Sequence, residues 1–63
     1  MNPELIFNEI QQLSYDELIN NYNYYCSYCQ LIFDRGNKND KQIAGKIINY
    51  LQITTGKGRN VKI

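Results

Sequence analysis

Two cysteines three positions apart, Cys26 and Cys29, are the first residues in this 63-residue chain whose types and spacing invite chemistry. A Cys-x-x-Cys pair supplies half of a tetrahedral zinc site. The chain has no histidine and no third cysteine. One copy therefore cannot complete such a site, although four thiolates from two copies would. A redox pair of this spacing belongs at a helix start inside a strand–helix–strand unit. The residues around Cys26 and Cys29 instead read as mid-helix. Both thiols are best read as small core residues, and no metal or other cofactor is expected.

Tyrosine is the next conspicuous type. Tyr15, Tyr22, Tyr24, Tyr25, Tyr28 and Tyr50 make six, and five of them fall in one stretch. Tyrosine buries much area with few rotors and is enriched at interface hot spots. Tyr22 and Tyr25 share the apolar stripe of that stretch. Tyr24 and Tyr28, four apart, fall on its other side and make a candidate contact patch, with Asp16 and Glu17 as charged neighbours. A third constellation is basic. Lys41 and Lys46, followed by Lys57, Arg59 and Lys62 in a glycine-containing tail, could contact phosphates. Three tail contacts alone would give a salt slope of about −3. Neither a recognition helix after Thr55 nor a phosphate-loop pattern around Gly56 and Gly58 accompanies them.

Catalysis has little to use. The carboxylates cluster at helix starts, where capping explains them, and no nucleophile–base pair can be named. Sixty-three residues form one domain at most, too small to enclose an enzyme pocket of ordinary volume. The chain is expected not to be an enzyme.

Three helices position these residues. The first, about residues 3–12, opens with Asn2 as cap and Pro3 at its first position. It carries Leu5, Ile6, Ile10 and Leu13 on one face. The second, about 15–35, opens on the capping box Ser14-Tyr15-Asp16-Glu17, with Leu13 and Leu18 as a hydrophobic staple. Tyr15, Leu18, Tyr22, Tyr25, Cys29 and Ile32 then recur at alternating spacings of three and four, a core-facing stripe. Gly36 is its left-handed cap. The third, about 40–55, is capped by Asn39 and carries Ile43, Ile47, Tyr50, Leu51 and Thr54 inward. Gly45 within it is a candidate for a close helix crossing, and Gly56 closes it. The expected architecture is all-α, a long helical hairpin of the second and third helices with the first folded across it. Residues 1–56 form the domain, and residues 57–63 a flexible basic tail.

Charge divides along the same line. Residues 1–34 hold Glu4, Glu9, Asp16, Glu17 and Asp34 and no cation, a net of −5. Residues 35–63 hold seven cations against Asp40, a net of +6. Such segregation speaks to partners rather than to fold. No apolar run reaches the length of a membrane span. The N-terminal stretch has Glu4 and no Lys or Arg, unlike a signal peptide. The expected location is the cytoplasm, without membrane association.

The motif Leu13-Ser14-x-Asp16-Glu17-Leu18 ahead of a helical hairpin resembles, in outline, the small helical-hairpin checkpoint inhibitors of bacterial sporulation kinases. No functional residue is carried over from them. The abundance of Asn, Lys, Ile and Tyr points to an AT-rich coding source, a low-GC bacterium or its phage. The expected function is a small protein-interaction module. It would be a phage- or mobile-element-type regulator or inhibitor that binds a larger host protein through Tyr24, Tyr28, Asp16 and Glu17. The alternative is nucleic-acid binding through Lys41, Lys46, Lys57, Arg59 and Lys62. A homodimer formed by pairing the second helix is compatible with either.

Overall fold

The computed structural model describes residues 2–56. Lys57, Arg59, Lys62 and the rest of the expected tail lie outside the described residues. The described chain is helical with four elements, α1 (Pro3–Gln11), α2 (Tyr15–Asn20), α3 (Tyr22–Arg35) and α4 (Lys38–Thr55). The all-α hairpin is as expected, and the number of helices is not.

α1 begins as its residues dictate. The Asn2 side-chain oxygen accepts from the Glu4 and Leu5 amides at 3.1 and 3.5 Å, and Pro3 occupies the first turn, where no donor is lost. Ile10 is its fully buried anchor. Leu5, expected inward, is 64% exposed. It lies five residues from Ile10, about 140° around the helix, so the two cannot share a face. Phe7 turns inward instead and meets Tyr50 of α4 edge-on, at 6.0 Å between ring centroids.

The capping box of α2 is complete. Ser14 Oγ accepts from the Glu17 amide at 3.2 Å, and the Ser14 amide donates to Glu17 Oε1 at 2.9 Å. The expected second helix then breaks at Asn21 (φ −109°, ψ 11°). Its amide side chain donates to the Glu17 carbonyl at 2.8 Å, the same oxygen that its own backbone N–H uses at 3.1 Å. Asparagine side chains compete with helical backbone in this way. Helical pairing resumes at once, with the Tyr25 amide donating to the Asn21 carbonyl. The break gives α2 and α3 separate axes, and each packs on α4.

α4 is the spine, since α1, α2 and α3 all pack against it. Ala44, Ile47 and Leu51 are buried along its inner face, opposite Ile10, Leu18, Tyr25, Cys29 and Ile32. Its cap is Asn37, not Asn39. The Asn37 side chain accepts from the Asp40 amide at 2.8 Å, and the helix starts at Lys38. At its far end Gly56 adopts the left-handed conformation (φ 74°) that closes helices. The Tyr15 hydroxyl donates to the Thr55 carbonyl at 3.4 Å, fastening the start of α2 to the end of α4.

Two glycines play other parts than expected. Gly36 is extended (φ −78°, ψ 164°), not left-handed. A Cβ there would lie 2.7 Å from the Ile32 carbonyl oxygen and 2.9 Å from Ile32 Cγ2, so the turn needs its missing side chain rather than its free φ. Gly45 sits at no close crossing. It is exposed, and a Cβ on it would meet nothing within 4 Å.

Candidate functional site

Leu18 to Phe33 is a run of sixteen residues without a charge. It spans the end of α2 and nearly all of α3. The inward side of α3 is spent on the core through Tyr25, Cys29 and Ile32. The stripe of alternating threes and fours is therefore used within one copy, against α4. Tyr24, Ser27, Tyr28 and Leu31 lie on the other side, within a narrow arc at spacings of three and four.

Tyr24 is 66% exposed and Leu31 46%. The Tyr24 ring rests edge-on against the buried Tyr25 ring, with centroids 5.2 Å apart at 69°. That contact supports an exposed aromatic from below and limits its rotamers. Tyr28 departs from expectation. It is half-buried rather than exposed and packs against the core. Its hydroxyl is shielded from solvent and has no hydrogen-bond partner among the described residues. Burial raises its pKa above the ordinary tyrosine value, helped by Cys29, Asp40 and Tyr24. Tyr28 therefore offers this face the side of a ring and no hydroxyl.

The stripe runs into a cavity of about 200 Å³ at the α3–α4 turn, lined by Leu31, Ile32, Arg35, Gly36 and Asp40. Leu31 and Ile32 give it apolar lining, and Arg35 and Asp40 add one cation and one carboxylate. The volume matches one large side chain rather than a metabolite. Leu31 and this cavity escaped the sequence reading. The signal for Leu31 was present, in the charge-free run and the three-residue step from Tyr28. The cavity had none, because it needs the fold of the turn.

Asp16 and Glu17 are exposed in the first turn of α2, beyond the Asn21 break from Tyr24 and Tyr28. The Glu17 carboxylate is already occupied by the capping box. Lys41 and Lys46 are exposed on α4. Five residues separate them, about 140° around the helix, so they do not form one track.

Cys29 is fully buried, and burial pushes its thiol up to about 11, with Cys26 adding to the shift. A thiol held protonated inside the core is a packing residue and a poor metal ligand. Burial likewise raises Tyr22 and Tyr25. Among the described residues no three His, Cys, Asp or Glu side chains converge on a point that would hold a metal ion. None of the helices is long and apolar enough to cross a membrane, among the same residues.

The chain matches no family model, no curated protein and no solved structure, so its outline resemblance to the sporulation-kinase inhibitors assigns it no family.

Proposed function

We propose that this chain is a non-catalytic protein-interaction module, a small cytoplasmic regulator or inhibitor of phage or mobile-element type that binds a larger host protein. One observation carries the reading. From Tyr22 to Phe33 the outer face of α3 carries no charge and exposes Tyr24 and Leu31, where a solvated helix ordinarily carries Lys and Glu. Depletion of charge with enrichment of tyrosine marks the centre of protein interfaces. A rigid tyrosine among Ser, Asn and Gln side chains is also how binding loops are composed. The 200 Å³ cavity beside Leu31 would receive an anchoring side chain. Tyr24, the ring of Tyr28 and Leu31 form the centre of this surface, and Asp16 and Glu17 its acidic rim.

The test is affinity capture from host lysate with mass spectrometry, using the unaltered chain, Tyr24→Ala, Leu31→Ala and Lys46→Ala. A specific partner should be held by the unaltered chain and by Lys46→Ala. The other two should retain about a tenth of it or less, as loss of a hot spot implies. Capture that ignores Tyr24 and Leu31 would falsify this surface.

Exposure of Lys41 and Lys46 supports nucleic-acid binding through α4 and the basic tail as a second reading. Their divergence around α4 and the acidic residues of α1 and α2 weigh against it. A gel shift with DNA and RNA at about 50 mM salt decides, since phosphate contacts are strongest there.

A further inference from the structure

We infer that the cavity at the α3–α4 turn binds one aliphatic side chain of a partner protein, on a segment that offers an acidic residue to Arg35 and a basic residue to Asp40. The inference rests on reading this end of α3 as an interaction surface, and it names the chemistry of the partner segment.

The two charges that line the cavity are unpaired. Arg35 stands in the last turn of α3 and Asp40 in the first turn of α4, so the cavity takes one from each helix. Only five positions separate them. Among the described residues they nevertheless form no ion pair, with each other or with any other group.

Asp40 differs in this from Glu17. Both stand three residues after a cap, Asn37 and Ser14. The Glu17 carboxylate turns back and accepts from the Ser14 amide at 2.9 Å. Asp40 closes no such box, and only its backbone amide is used, donating to the Asn37 side chain. Its side chain is left half-buried beside the cavity. A carboxylate held partly out of water without a partner is unfavourable, and a cation from outside would relieve it.

Volume and lining set the anchor. About 200 Å³ lies below the usual range of small-molecule pockets, which starts near about 300 Å³. Leu31 and Ile32 supply the apolar surface, and no ring lines the cavity. An aromatic anchor would find nothing to stack on, so an aliphatic one fits.

Charge sets the flanks. An uncharged occupant would strip water from Arg35 and Asp40 and return nothing. An occupant of one sign would pair with one group and be repelled by the other. A segment bearing both signs meets both, which is the complementarity that gives an interface its specificity.

Flexible capped pentapeptides are the probes, Glu-Gly-Leu-Gly-Lys and its reverse. Each is titrated to about 20 mM against the isotope-labelled chain by heteronuclear NMR, because one aliphatic side chain and two exposed ion pairs give millimolar affinity. The amides of Leu31, Gly36 and Asp40 should shift together and saturate for at least one order. Alanine in place of the probe's leucine should weaken binding about tenfold. Glutamine in place of either charged residue should weaken it about twofold to fivefold. Arg35→Gln should cancel the gain from the probe's glutamate and keep the gain from its lysine, and Asp40→Asn should do the reverse. If Asp40→Asn loses helicity by circular dichroism, the Arg35→Gln comparison decides alone. No saturable shift for either order overturns the inference, as does binding indifferent to the leucine or to both charges. Failed probes beside lysate capture that depends on Tyr24 remove this inference and leave the protein-binding reading standing. Probes that bind a chain capturing nothing support the cavity chemistry and count against that reading.

Discussion

The Gly36 amide donates to the Ile32 carbonyl at 2.7 Å, and a methyl group on Gly36 would lie 2.7 Å from that same oxygen. Asp40 Cβ closes the other side at 3.1 Å. Backbone on one side and a helix start on the other leave nothing flexible to yield. Gly36→Ala should therefore destabilise the chain by about 1–3 kcal/mol, the usual cost of overpacking. Thermal or urea unfolding checks this, and a variant as stable as the parent would show that the turn can shift.

Gly45 should behave in the opposite way. It is an exposed, mid-helix glycine with open space where a Cβ would go. Gly45→Ala should raise stability by about 0.5–1 kcal/mol, through helix propensity and a less free unfolded chain. The same unfolding curves measure it, and a loss of stability would reveal a neighbour at Gly45.

The tyrosine hydroxyls separate a useful bond from an orphan. Tyr28 buries an oxygen with no partner among the described residues, whereas the Tyr15 hydroxyl reaches the Thr55 carbonyl. Tyr28→Phe should leave stability unchanged or raise it by about 1 kcal/mol, and Tyr15→Phe should lower it by about 0.5–1 kcal/mol. Equal losses in the two variants would mean that the Tyr28 hydroxyl is satisfied.

The capping box predicts a further change. Ser14 and Glu17 satisfy one another's backbone donors at the start of a six-residue helix, too short to persist without its cap. Ser14→Ala should cost about 1 kcal/mol. Glu17→Gln keeps the geometry of the box and should cost less. If Ser14→Ala proved silent, packing of Leu18 alone would hold α2.

Alkali should weaken the fold through Cys29. Its thiol ionises at about 11 when folded, against 9.0 for a free cysteine. Between these values the unfolded chain releases a proton that the folded chain keeps. Stability contributed by the buried thiol is thus complete below about pH 9 and falls as pH rises toward about 11. Tyr22, Tyr25 and Tyr28, also raised, act in the same direction. Cys29→Ala should flatten part of this slope. Alkylation at neutral pH should modify half-exposed Cys26 well before Cys29.

Much of the fold was legible from residues close together in the chain. Asn2, Ser14 with Glu17, and Gly56 stand where the structure uses them, because caps act over three or four residues. Leu18, Tyr25, Cys29, Ile32, Ile47 and Leu51 were readable as core from helical spacing. The division of charge, which falls at Arg35 in the last turn of α3, follows from residue order alone. Errors arose where two local readings were both allowed. Asn37 and Asn39 are equally good caps, and the choice of Asn37 accompanies the tight approach of Gly36 to Ile32 and Asp40. Asn21 is an acceptable helix residue whose amide here takes the Glu17 carbonyl.

The candidate site shows the same division. Sequence by itself determined that α3 carries no charge from Tyr22 to Phe33 and bears Tyr24 outside its apolar stripe, because spacing and composition are properties of the chain. Only tertiary structure decided that Tyr24 stays exposed while Tyr28, four residues on, is half-buried with its hydroxyl shielded. Only it brought Leu31, Arg35 and Asp40 around one cavity and placed Tyr15 against Thr55, forty residues away. The physical reason is range. Hydrogen bonds within a turn are set by neighbours in sequence. Burial is set by what packs on top, and for α3 that is α4, across a turn whose shape depends on the absence of a single Cβ at Gly36.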